Sequence, residues 1–531
     1  SWPTRLKTRP HRLFARQNYS VKMQNIFRYC KQNQIALGFA LFAAVLSVTA
    51  NLSGVGWSWD TSDYVAVGKN FARDLTLLDA TGLPMTVRPP GLSILIAVGD
   101  WLGLGLNFAV QILNAVSAVI VVLCTNHLLQ LANTKRFITA VATAFVTFSP
   151  ALLWQYSMIW SEPPFIAVLM IATVVSLRKM TTAKFASLVT LFITLFFIRY
   201  VGPVFAVAIT AASIYFDRRR LGWLKSAATN VLALGISLIS VWWWLDRNQE
   251  IDGTLTGARA PGGGSLLAPL KTFTSTIGSW VVASPVEGGI YLSWDSYPQI
   301  TKVIGVLSVV TFVLLCIFYL TSWLRRREAT EGLNIFIVSA AVLFTYVAFS
   351  AYRFVHWELG PLDNRMMIPV YVPMVLMVAI TVNKVSIKQK PLRLVLSGLF
   401  IVLVALQTVS SINDAIKFGQ DGRYWAARDF INQPLHKFVN SLPTNSLLMS
   451  NQPQELFAVW QKSSVLNQYQ LDAAQATSCE NRYFVWYNST YDDGTPNLEG
   501  QPEGAEVLFI DPTGSVLNLE TCDENITKYW P

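Results

Sequence analysis

Five short stretches of the chain carry acids and arginines beside long apolar runs. The first is Trp57-Ser58-Trp59-Asp60-Thr61-Ser62-Asp63-Tyr64, continuing to Phe71. On a helix, positions 60, 64, 67 and 71 share a face. Asp60 is then either an N-cap or a general base turned toward a cleft. Asp63 is the alternative base, and Tyr64 lines the same face. The second stretch is Arg88-Pro89-Pro90-Gly91, and the third is Trp160-Ser161-Glu162-Pro163-Pro164. There Ser161 can cap a helix, with Glu162 favouring its dipole. The chemical reading makes Glu162 a second carboxylate opposite Asp60, binding a metal or an acceptor hydroxyl. The fourth is Arg199-Tyr200-Val201-Gly202, where a guanidinium between two apolar runs calls for an anion. The fifth runs from His356 to Asp363-Asn364-Arg365. Arg365 is a partner for Asp363, a snorkelling end residue or a phosphate ligand. Guanidinium suits bidentate phosphate binding, and a carboxylate can take the proton of an attacking hydroxyl.

The elements that must position these residues are membrane helices. Of 531 residues, 53% are hydrophobic types and only 14% are charged. That excludes several soluble globules, and it excludes disorder. Eleven apolar runs approach the length of a bilayer crossing: 34–53, 107–130, 137–154, 163–177, 185–198, 201–216, 226–245, 303–324, 333–352, 366–382 and 394–411. The fifth and sixth form a hairpin around Arg199 or one broken helix, so ten or twelve crossings also fit. Ionisable groups at the ends of such runs are candidates for function.

The net charge of +10 divides by loop. One set of loops, with the first 33 residues, holds 24 basic and 3 acidic side chains; the remainder of the chain holds 17 and 28. By the positive-inside rule the N-terminus is cytoplasmic, and loops 54–106 and 246–302 and everything after 412 lie outside. The charge therefore reports orientation, and a nucleic-acid partner is not expected. Residues 1–33 read as a basic cytoplasmic tail, with Met23 a possible start and the first span a signal anchor. Residues 34–411 form the transmembrane unit, and 412–531 an outer domain.

That outer segment carries 7 basic and 15 acidic residues. A helical pattern at 423–441 precedes strand-like runs at 446–450, 483–487 and 506–510, which predicts a small α/β or α+β domain. Cys479 and Cys522 both lie on the oxidising side and are candidates for a disulfide. The glycine-rich segment Arg259–Ser265 lacks a P-loop lysine and reads as a mobile lid or a plain loop. Trp242, Trp243 and Trp244 read as an interfacial aromatic belt.

Across residues 34–415 these motifs resemble the GT-C glycosyltransferases. The branch is the one with bacterial protein O-mannosyltransferase-like enzymes and the lipid A aminoarabinose transferase. The resemblance is carried by Asp60-x-x-x-Tyr64, Arg88-Pro-Pro-Gly91, Ser161-Glu162-Pro163, Arg199-Tyr200-x-Gly202, and Asp363-Asn364-Arg365 running to Ile368-Pro369. It implies a GT-C-like polytopic fold and inverting transfer of a sugar from a polyprenyl-phosphate donor. Asp60 would be the base, Glu162 would orient the acceptor, and Arg199, Arg365 and Arg88 would bind the donor phosphate. Tyr64, Tyr200 and His356 would line the cleft. A divalent cation between Asp60 and Glu162 is possible. The acceptor is a lipid, a glycan or a protein. The oligosaccharyltransferase Trp-Trp-Asp signature does not carry over, since Trp242–Asp246 sits at a span end.

Two other classes compete. A transporter would place its ionisable groups near the bilayer midplane and show paired repeats, whereas here the acids fall in outer loops. An O-antigen-type ligase or polymerase would use similar lipid-linked sugars on another fold.

Overall fold

The computed structural model describes residues 33–257, 265–283, 294–326, 330–357, 362–385, 390–467, 470, 481–490, 496–497 and 505–519. Cys479, Cys522 and residues 258–264 of the glycine-rich segment lie outside them.

All eleven apolar runs fall on helices. Among the described residues, six helices are long and apolar enough to cross a membrane: Leu106–Leu131, Trp223–Asp252, Gln299–Arg325, Glu331–His356, Asn364–Lys384 and Ser397–Asp421. A seventh crossing would be the pair Arg136–Thr147 and Pro150–Tyr156, bent by 44°. The bend has a local cause. Pro150 cannot continue the preceding hydrogen-bond ladder, and Ser149 Oγ accepts from Leu152 N at 3.3 Å to start the second piece. Gln34–Thr49, Glu162–Ser176 and Thr182–Ile198 are shorter apolar helices, and Gly202–Leu221 ends in three arginines. The fifth and sixth runs are two helices meeting at Arg199–Val201. They turn so tightly that a Cβ on Gly202 would sit 2.4 Å from the Leu195 carbonyl carbon.

Inside the bundle the apolar side chains form one large core. In it Phe165 meets Phe205 edge to face and Phe205 stacks on Tyr346, with centroids 5.2 and 4.9 Å apart. At the end assigned to the cytoplasm, the buried Lys184 and Asp217 pair at 2.8 Å.

Two helices of the loop 54–106, expected outside, cover the other end. Trp59–Asp74 starts where Ser58 is extended and Ser58 N donates to Thr61 Oγ1 at 3.1 Å. Gly91–Trp101 starts after Pro89-Pro90, with Gly91 packed on the Phe197 backbone. Between them, Asp79 Oδ1 accepts from Thr81 N and Leu83 N and closes a turn.

The C-terminal region is a mixed sheet. Its strands are β1 (Leu447–Ser450), β2 (Leu466–Asn467), β3 (Arg482–Tyr487), β4 (Ser489–Thr490), β5 (Pro496–Asn497), β6 (Glu506–Asp511) and β7 (Gly514–Asn518). The main sheet runs β2-β1-β3-β7-β6, with β1 parallel to β2 and β3, and β7 antiparallel to β3 and β6. Helices Pro434–Ser441 and Pro453–Trp460 pack on it. The three strand-like runs of the sequence are β1, β3 and β6. This domain shares a core with the first outer loop: Trp57, Tyr64 and Val65 cluster with Leu435, Leu448 and Leu456. Ser62 Oγ donates to Gln454 O at 2.5 Å, and Val465 N to Ala80 O at 2.9 Å.

Candidate functional site

Three segments far apart in sequence converge under the first outer loop. Asp60, Asp63 and Tyr64 come from one face of Trp59–Asp74, and Arg88 comes from the strap before Gly91. Ser161 and Glu162 open Glu162–Ser176, Arg199 stands at the hairpin turn, and Arg365 lies in the short helix Asn364–Met367.

Their charges alternate along one chain. Arg88 Nη1 meets Asp63 Oδ2, and Arg88 Nη2 meets Asp60 Oδ1 at 2.6 Å. Asp60 Oδ2 meets Arg365 Nη2, and Arg365 Nε meets Glu162 Oε1 at 3.1 Å. Glu162 Oε1 also meets Arg199 Nη1. The order is Asp63–Arg88–Asp60–Arg365–Glu162–Arg199. Three carboxylates balance three guanidiniums, so the ions offset one another's desolvation. Glu162 is fully buried, while the Asp60 side chain keeps 21% of its surface exposed and is the accessible carboxylate.

Aromatic and hydroxyl groups frame this chain. The Arg365 guanidinium carbon lies 4.3 Å from the Trp160 ring centre, and Trp160 Nε1 donates to Ser58 Oγ at 2.7 Å. Arg199 Nη1 donates to Ser161 Oγ at 3.2 Å, and Tyr64 Oη lies 3.3 Å from the same oxygen. Ser161 therefore serves the arginine and makes no side-chain cap. Asp363 caps its own short helix through Met366 N, leaving Arg365 to the carboxylates.

The two acids on Trp59–Asp74 differ. Burial raises the Asp60 carboxyl, but Arg365 and then Arg88 outweigh it and hold Asp60 below the usual carboxylate range. Burial dominates at Asp63, opposed by Arg88, and pushes it up to about 6. As arranged, Asp60 and Glu162 do not fit a cation, because Arg365 bridges them. Among the described residues no three His, Cys, Asp or Glu side chains gather as a metal group.

Two residues expected in the cleft lie in other surroundings. Tyr200 belongs to a neighbouring knot: its hydroxyl donates to Thr86 O and accepts from Trp244 Nε1 at 3.0 Å and Asn248 Nδ2 at 2.9 Å. It anchors the strap two residues before Arg88. Trp244 is accordingly buried, while Trp242 and Trp243 remain exposed as a belt requires. His356 ends its helix against Tyr352 and Trp357. The sequence reading missed Trp160 as a platform, although it directly precedes the Ser161-Glu162-Pro163 motif.

The fold has solved counterparts. No family model matches the chain, and no curated protein matches it by sequence. The mycobacterial arabinofuranosyltransferase AftD aligns over 92% of this chain and 40% of its own, at 13% identity and a TM-score of 0.51. ArnT from Cupriavidus metallidurans aligns over 92% of this chain and 98% of its own, at 13% identity and a TM-score of 0.44. AglB from Archaeoglobus fulgidus aligns over 86% and 70%, at 11% and 0.46. The chain has the GT-C fold. It is a multi-pass membrane protein with a small mixed-sheet domain at its C-terminal end.

Proposed function

We propose that this protein is a membrane glycosyltransferase that moves a sugar from a polyprenyl-phosphate donor to an acceptor hydroxyl at the outer face of the membrane. The observation that carries the reading is the closed acid–arginine chain. Six ionised side chains are assembled at the mouth of a bundle with a glycosyltransferase fold, and they leave one carboxylate, Asp60, accessible. Buried ionic groups at such a position mark function more often than stability.

In the proposed step the acceptor oxygen attacks the anomeric carbon on the face opposite the phosphate. The new C–O bond forms as the bond to the phosphate oxygen breaks, so the configuration inverts. Asp60 takes the hydroxyl proton, and the lipid phosphate leaves with the bonding electrons. Its leaving ability means no strong acid is needed. Arginines near the site would offset the charge developing on the phosphate. Glu162 would hold Arg199 and Arg365 in register. Asp63 is a second candidate base, favoured by a carboxyl raised to about 6, nearer the pH at which a base is most effective.

The donor, the acceptor and the orientation are tested together. Mass spectrometry of lipid-linked sugars and envelope glycans, in cells with and without the gene, should show a donor accumulating and one glycan losing a sugar. Unchanged profiles of both would count against the reading. Cysteine-labelling of residues near 215–225 and 435–440 would check which face each occupies.

A further inference from the structure

The acid–arginine chain is electrically closed, since each of Arg88, Arg199 and Arg365 already bonds a carboxylate. A phosphate approaching it meets no net positive charge. Another arginine stands just beyond. Arg423 follows the helix Lys390–Asp421, and its guanidinium carbon lies 3.8 Å from the Phe418 ring centre and 5.4 Å from those of Trp154 and Tyr424. Among the described residues it makes no ion pair with a carboxylate, although Asp414 attracts it through space. Burial lowers its proton affinity to about 10 and leaves it charged at neutral pH. A cation buried among rings, with the Tyr424 hydroxyl as its near polar neighbour and no carboxylate in ion-pair contact among the described residues, is a site prepared for an anion.

Three further observations point the same way. Trp154 Nε1 is buried with no hydrogen-bond partner, and the buried Tyr424 Oη, which faces the Arg423 guanidinium, finds no acceptor for its own proton among the described residues. Tyr424 holds a left-handed backbone with φ 48°, a cost for a bulky residue that an isolated parallel bridge to Trp57 maintains. Trp57 N donates to Arg423 O, and Trp425 N donates to Trp57 O at 3.0 Å. Gly56 leaves the room for this, because a Cβ there would lie 2.9 Å from Arg423 Cβ. The site also borders the acid–arginine chain: the Trp154 and Trp160 rings meet edge to face at 5.4 Å, and Arg365 lies over the Trp160 ring.

We propose that Arg423, with Tyr424 and Trp154, forms an oxyanion subsite that takes a phosphate group at the outer face of the membrane. In taking that phosphate to be the donor's, the proposal rests on the reading of the Asp60 chain as the place of sugar transfer. It moves phosphate binding from the arginines bonded to carboxylates to one that Asp414 attracts only through space.

The test uses the full chain in phosphatidylcholine nanodiscs, with binding read by tryptophan fluorescence. The probes are a polyprenyl phosphate, inorganic phosphate, and phosphatidylglycerol mixed into the disc. Arg423→Gln should weaken binding by about tenfold or more, the loss of one charge-assisted pair. Tyr424→Phe should weaken it by about threefold with unchanged thermal unfolding, and it keeps the test alive if Arg423→Gln misfolds. A loss seen only with polyprenyl phosphate assigns the subsite to the donor. A loss shared with inorganic phosphate assigns it to phosphate in general, and one confined to phosphatidylglycerol assigns it to bulk headgroups. No loss in either variant with any probe, or no binding by the unaltered chain, overturns the subsite. Absence of sugar transfer by the unaltered chain while Arg423→Gln loses phosphate would instead overturn the transfer reading and leave the subsite standing.

Discussion

Replacing Glu162 by Gln takes one charge out of a set of six and leaves the cluster with one unbalanced guanidinium. Glu162 is fully buried, and its Oε1 serves both Arg199 and Arg365. Removing one partner of a buried pair costs about 3–5 kcal/mol, because the other charge stays buried and uncompensated. Arg199→Gln leaves the opposite imbalance and should cost about the same, reduced to roughly 2–4 kcal/mol because its side chain keeps some solvent contact. The double variant restores a balance of two acids and two arginines. Its loss should therefore fall short of the sum of the singles by about 2–3 kcal/mol, near the top of the range for contacting residues. Stability of the purified full chain can be followed by reversible denaturing-detergent titration for all four proteins. Additivity within about 0.5 kcal/mol would refute the claim that charge balance organises this site.

Other expectations follow from the same geometry. If Asp60 is the base, transfer should persist as pH falls well below 5, because the arginines keep it ionised; if Asp63 is the base, transfer should fall by half near pH 6. A pH profile of single-turnover transfer separates the two. Glu455 in Pro453–Trp460 is pushed up to about 7 by burial. The folded chain then binds more protons than the unfolded one between roughly pH 4.5 and 7, so stability drops as pH rises through that window. Glu455→Gln should raise thermal stability above pH 7 and leave it unchanged at pH 4, and an equal effect at both would contradict this. Gly91→Ala would place a Cβ 2.4 Å from the Phe197 carbonyl oxygen, which is backbone and cannot yield. It should destabilise by about 1–3 kcal/mol and displace the strap that carries Arg88, lowering transfer more than a substitution at exposed Arg73.

Much of this was legible in the sequence because membrane helices announce themselves by composition. Apolar length located the helices of the eleven runs but not Leu267–Val282, which was read as loop yet sets Ile277 and Trp280 into the bundle core, and the three strand-like runs located β1, β3 and β6. The acids and arginines stood out for the same reason, as costly groups beside apolar runs. What spacing could not give was their pairing. Arg365 meets Asp60 across 305 positions of sequence, so whether Arg365 answered Asp363 or Asp60 depended on tertiary packing alone. Tyr200 and Trp244 illustrate the converse. One read as a cleft residue and the other as a belt residue, yet they form a hydrogen-bonded knot because the end of Trp223–Asp252 packs under Thr86. Arg423 went unnoticed because Trp154 reaches it from a distant helix, although Phe418 five residues before it and Arg423-Tyr424-Trp425 directly after a span were a signal in plain view.

The proposed role of Asp60 is that of a base at a membrane-surface sugar-transfer site. Its most direct test is single-turnover transfer by Asp60→Asn, reconstituted with the polyprenyl-phosphate sugar and acceptor identified from the glycan profiles. Loss of a general base lowers the rate by about a hundredfold to ten-thousandfold, and the account predicts a fall in that range with donor binding retained. Transfer by Asp60→Asn at the rate of the unaltered chain would contradict it.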